Sequence, residues 1–126
     1  MKALLILFGA FLCCQLATAG SIGSLDGYRK ISSYSGLDHV IQSGTVAALN
    51  LAAADGVVDA NAAARYQVES IGRVAAKELD AATSYFIVVR VGDAHYPDVK
   101  AIVGFVIDEE RGTGTLTLRA YKIGSA

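Results

Sequence analysis

Tryptophan is absent from this 126-residue chain, proline and methionine occur once each, and the only two cysteines are the adjacent pair Cys13 and Cys14. Two neighbouring cysteines offer neither a disulfide framework nor a zinc-ligand spacing. Histidine occurs only at His39 and His95. Neither stands in a metal-binding His/Glu repeat, and His95 between Asp93 and Asp98 reads as a solvated loop residue. There is no glycine-rich phosphate loop, no dinucleotide fingerprint and no Gly-x-Ser-x-Gly nucleophile turn. No Asn-x-Ser/Thr acceptor occurs, so N-glycosylation is not expected. Charges of both signs are scattered and nearly balanced, at a net of −1. That leaves no basic stripe for nucleic acid or an anionic membrane. These absences argue against an enzyme, and no cofactor or metal is expected.

The chain does hold a core. Hydrophobic residues make up 53% of it, which with a single proline points to an ordered domain rather than a disordered tail. Its first residues read differently from the rest. Met1-Lys2 is a positive start, Ala3 to Leu16 is mostly apolar, and Ala17-Thr18-Ala19 is a small-residue cleavage pattern. The expectation is a secretory signal peptide over 1–19, cut after Ala19, and a secreted, extracellular domain over 20–126. The apolar run is shorter than the ~20 residues that span a bilayer. Cleavage would remove both cysteines and Lys2, leaving a domain with no thiol and a slightly more acidic balance.

Along 20–126, Gly20 to Ser35 reads as an extended arm. Ser35 and Asp38 form a weak capping-box pattern. Leu37, Val40, Ile41, Gly44, Ala48, Leu51 and Ala52 recur at helical spacing and predict a helix over 37–54, stopped by Asp55-Gly56. Asp59 to Arg65 is open between a loop and a short helical turn. Tyr66, Val68 and Ser70 alternate as one strand face, with a disturbance expected at Ile71-Gly72. Tyr85 to Val91 is a strong strand, and Ala101 to Ile107 a further one. Asp108 to Gly114 is a hairpin connection, with Glu109-Glu110 as a charged tip. Thr115 to Tyr121 places Leu116, Leu118 and Ala120 on one face and Tyr121 on the other. One helix followed by segregated strands implies an α+β layer fold: one long helix on a four- to five-stranded antiparallel sheet.

That order, with Glu78-Leu79-Asp80-Ala81-Ala82 leading into Thr83, Tyr85 and Phe86, resembles the cystatin family. There a Gln-Val-Val-Ala-Gly loop leads into a Tyr-containing strand. Leu25-Asp26-Gly27-Tyr28 resembles the segment that holds the family's N-terminal glycine, which puts that role on Gly27. The resemblance runs from about Leu25 to the last strand. It implies a cystatin-like fold and inhibition of papain-like cysteine proteases by a wedge of three segments: the arm at Gly27, the first hairpin at Glu78, Leu79, Asp80, Ala81 and Ala82, and the second hairpin. The expected partner is therefore a papain-like cysteine protease, bound by a monomer.

The chain departs from the family pattern at three points. Ala82 stands where the family has glycine, strained if that position needs positive φ. Asp80 stands where it has an apolar residue. An unpartnered carboxylate buried in a protease cleft costs several kcal/mol, roughly a thousandfold in affinity. The second hairpin lacks the family's Pro-Trp, and with it an aromatic anchor of the kind that dominates many interfaces. Two readings follow: a cystatin-like protease inhibitor, weak in potency, or a secreted binding or structural module that keeps the fold without inhibiting proteases.

Overall fold

A computed structural model describes residues 14–20 and 22–126, the side chains from 22 onward. Most of the leader expected over 1–19 thus lies outside the described residues. In chain order the elements are β1 (Cys14–Gly20), β2 (Arg29–Lys30), α1 (Asp38–Ala54), α2 (Ala60–Arg65), β3 (Tyr66–Glu78), β4 (Ala82–Asp93), β5 (Lys100–Glu110) and β6 (Leu116–Ser125). The strands form one sheet in the order β1-β6-β5-β4-β3-β2. Strands β2 to β6 pair antiparallel, while β1 lies parallel to the outer edge of β6. The α+β layer class and the antiparallel sheet agree with the reading of the sequence. The parallel sixth strand was not foreseen, and the second helix takes one of the two forms left open for 59–65.

Helix α1 buries Val40, Ile41, Gly44, Thr45, Ala47, Ala48, Leu49 and Ala52. Its small residues let it lie close to the sheet, where Val74, Ile87, Val89, Val103, Phe105 and Leu118 complete the core. The capping box at Ser35 and Asp38 does not form. The residue preceding the helix is Leu37, which makes no side-chain capping bond. The C-terminal stop does form: Gly56 has φ +76, and the Val57 amide returns to the Ala52 carbonyl at 2.8 Å. This left-handed glycine satisfies carbonyls the helix would otherwise leave open. The ambiguous 59–65 segment is helical because the Asp59 carboxylate accepts from the amides of Asn61 and Ala62, at 3.0 and 3.1 Å, an N-cap.

Bulges determine which side of β3 and β6 meets the helix. In β3 the pairing slips between Val68 and Ser70 and again between Ile71 and Arg73. The disturbance expected at Ile71-Gly72 is thus present, with a second one at Glu69. The residues packed on the core are consequently Tyr66, Val68, Ile71, Val74 and Ala76, and Ser70 is exposed rather than continuing the inner face. In β6 the slip lies opposite Val106/Ile107 and leaves Arg119 as the extra residue. Tyr121 and Ile123 therefore join Leu116 and Leu118 on the core, and Ala120 is buried outside that cluster. This corrects the simple alternation expected for 115–121. An extra residue on one strand flips every later side chain and bends the strand.

Candidate functional site

Three segments meet at one end of the sheet. Strands β3 and β4 are joined by Leu79-Asp80-Ala81 alone, with Glu78 opposite Thr83. The turn closes when the Leu79 amide donates to the Ala82 carbonyl at 2.8 Å. Ala82 is the first residue of β4 and pairs with Glu110 of β5. It is thus a strand residue, and the glycine expected there by resemblance would have had no turn of its own to make.

The β5–β6 hairpin lies beside it. Beyond Glu110 the chain turns through Arg111, Gly112, Thr113 and Gly114, whose two glycines have φ +89 and +74. Side chains with a Cβ rarely adopt that region. The Glu110 amide donates to Thr115 and the Gly114 amide to Glu110, both at 2.8 Å. From this turn Arg111 reaches across to the first hairpin. Its amide donates to the Ala81 carbonyl at 3.0 Å. Its guanidinium donates to the carbonyls of Asp80 and Ala82, at 2.8 and 3.0 Å, and to the Glu78 carboxylate. Thr83 donates a further bond to Glu78 at 3.0 Å. The Arg111 bond first, then that of Thr83, hold the Glu78 carboxyl below the usual glutamate range.

The arm completes the end. The Tyr28 amide donates to the Leu25 carbonyl at 3.1 Å, closing a turn in which Gly27 has φ +85. A Cβ at Gly27 would come to 3.1 Å from Cε of Lys77, one residue before Glu78. The hydroxyls of Tyr28 and Ser84 are 2.6 Å apart. The arm thus turns at Gly27 against the root of the first hairpin. It does not project from there: Ile22 rests over Gly104 in mid-sheet, 3.7 Å from where a Cβ would sit.

The residues expected to bind a protease are therefore neighbours: Gly27 at the arm's turn, and Glu78 to Ala82 across the first hairpin. Leu79 is 39% exposed at the tip. Asp80 is exposed beside it, bonded among the described residues only through its carbonyl. Behind the tip, burial followed by the charges of Glu109 and Glu78 raises the Tyr85 phenol above its ordinary pKa, so it stays neutral. Glu109 also meets His39 at the start of α1, Nε2 to Oε2 at 2.9 Å. Arg111 escaped sequence reasoning. It sits among Glu109, Glu110, Gly112 and Thr113, where an arginine looks like any solvated turn residue. Only the adjacency of two hairpins 29 to 33 residues apart reveals its partners.

Elsewhere, Asp93 is 6% exposed at the far end of β4. It is committed to Arg65 and to the amides of His95 and Tyr96. A groove between α1, α2 and the start of β3, lined by Gln42, Val46, Asn50, Ala64, Tyr66 and Gln67, lies at the opposite end of β3 from the hairpin.

The molecule is thus an α+β protein with one end built from an arm turn and two bonded hairpins. No protein-family model, curated protein or solved structure matches the chain.

Proposed function

We propose that this protein is a secreted, cystatin-like inhibitor of papain-like cysteine proteases, acting through the end formed by Gly27, residues 78–82 and the 111–115 turn. The observation that carries this reading is the convergence of all three segments named by the resemblance. Arg111 bonds the second hairpin to the first, and Gly27 lies against Lys77. The order of β2, α1 and then a β3–β6 meander supports the same reading, as does the narrow three-residue first hairpin. Mechanistically, the tip enters the protease cleft and covers the catalytic cysteine without presenting a cleavable bond in register. Loops already held in shape lose little conformational entropy on docking. Titration of the purified protein against papain and a panel of cathepsin-like enzymes tests this. Inhibition at or below micromolar concentration is expected, and none at that level removes the reading.

Asp80 favours a second reading. An exposed carboxylate at the tip opposes insertion into a dry cleft and suits a binding module that has lost inhibition. The double substitution Asp80→Val with Ala82→Gly separates the two. Strong inhibition gained only in the double variant supports the second reading, and tight inhibition by the native protein excludes it.

The secretory leader belongs to the same proposal. Cleavage after Ala19 would take away nearly all of β1 and open the outer edge of β6. N-terminal sequencing of protein recovered from the medium of secreting cells should begin at Gly20. Intact Met1 on protein retained in those cells would oppose it.

A further inference from the structure

The geometry points to Arg111 as the positioning residue of the β3–β4 hairpin, the group that gives a glycine-free tip one fixed shape. Three consecutive carbonyls, Asp80, Ala81 and Ala82, are all held by this one residue, the middle one through its amide and the outer two through its guanidinium. Glu78 completes the set as a charged acceptor. Within its own strand pair the tip has a single closing bond, from Leu79 to Ala82. Without the Arg111 side chain the Asp80 carbonyl would turn to water and the Ala82 carbonyl would keep only the Leu79 amide. The Ala81 carbonyl would still meet the backbone amide of residue 111, so the turn would be tethered at one point and freer to exchange conformations. The planar guanidinium fork matters as much as its charge. It meets two carbonyls and a carboxylate in different directions, which an ammonium on a flexible stem cannot do with comparable order. The second hairpin, which lacks an aromatic anchor, thereby acts on a partner indirectly, by shaping the first.

The consequence for protease binding rests on the inhibitor reading, whereas the positioning role is testable in the isolated protein. Amide hydrogen exchange by NMR is measured on the full chain and on Arg111→Ala, Arg111→Lys and Glu78→Gln, with thermal denaturation alongside. In Arg111→Ala the Leu79 amide should exchange about tenfold or more faster while the Val89 amide in the core stays unchanged, as local opening requires. Arg111→Lys should behave nearly as Arg111→Ala, because charge alone does not restore the fork. Glu78→Gln, which spares both carbonyl bonds, should give a smaller rise and keeps the test available if the alanine variant does not fold. Equal exchange of Leu79 in native and Arg111 variants overturns the proposal, and so does full rescue by lysine. Papain titration of the same proteins is read separately. If the native protein inhibits, Arg111→Ala should weaken binding about tenfold to a hundredfold, the scale of ordering one or two backbone residues. If the native protein does not inhibit, the inhibitor reading fails, and the exchange result alone decides the role of Arg111.

Discussion

Gly44 of α1 lies directly against the ring of Phe105 in β5: a Cβ on Gly44 would stand 2.2 Å from Cε2 and 2.7 Å from Cζ. Two effects compete on substitution. Replacing a mid-helix glycine by alanine gains up to ~1 kcal/mol of helix propensity. Forcing a methyl group into a filled core costs ~1–3 kcal/mol. Phe105 is fully buried and its ring has nowhere to retreat, so the clash prevails. Gly44→Ala should lower stability by ~1 kcal/mol or more in chemical denaturation, and adding Phe105→Leu should recover part of that clash. A stabilised Gly44→Ala would refute this account of the helix–sheet contact.

Gly92 makes an equally close approach with a different outcome. A Cβ there would lie 2.1 Å from Oε2 of Glu69. The obstructing atom is the end of a flexible side chain bonded to Lys100, at 2.7 and 2.8 Å. Glu69 can swing out at the expense of a partly exposed ion pair, an interaction of ~0–1 kcal/mol. Gly92→Ala should therefore cost less than Gly44→Ala by urea denaturation. The reverse ranking would show that the Glu69 carboxylate is fixed.

Asp93 should impose an acid limit on stability. Burial alone would raise its pKa, but the His95 amide, the Arg65 guanidinium and the Tyr96 amide together pull it below the usual aspartate value. A carboxyl with a depressed folded pKa contributes stability above its unfolded pKa, ~3.9. That contribution is lost as pH falls through the lower folded value. Asp93→Asn should be less stable than the native protein at pH 7, and the gap should close under acid. A gap independent of pH would assign the loss to packing instead.

At the alkaline end, Tyr121 is the phenol to watch. Its hydroxyl donates to Asp55 at 2.6 Å. That bond, then burial and the carboxylate's charge, raise its pKa to about 12. The protonated form is the stabilised one. Its contribution is complete below the unfolded tyrosine pKa of ~10 and disappears as pH rises through about 12. Ultraviolet titration should show one tyrosine ionising above the others. Tyr121→Phe should delete that step and Asp55→Asn should lower it. A native curve without a late step would rule the contact out in solution.

Helix α1 and strand β4 were legible because their signals are local and consistent. Apolar residues recur at helical spacing from Val40 to Ala52, and Tyr85 to Val91 is β-branched or aromatic at every position but Arg90. The faces of β3 and β6 were not legible, although the Gly72 disturbance was. A bulge at Glu69 or Arg119 leaves no mark in a strand's own residues, since it exists only as a mismatch with the partner strand. At the site, resemblance supplied Gly27 and residues 78–82. Their mutual proximity, the strand role of Ala82 and the arm's return over the sheet were visible only in three dimensions.

The sequence by itself determined the α+β class, the helix and its stop, and the principal strands. Periodicity, turn chemistry and β-propensity act over a few neighbouring residues. Tertiary structure decided the strand order, the bulged registers and the convergence of Gly27, Glu78 and Arg111 at one end. Those depend on contacts between residues far apart in the chain, where a single-residue slip changes the buried face. Arg111 shows the division most directly: one turn residue among acids in the sequence, and in the fold the residue to which three carbonyls of the neighbouring hairpin turn.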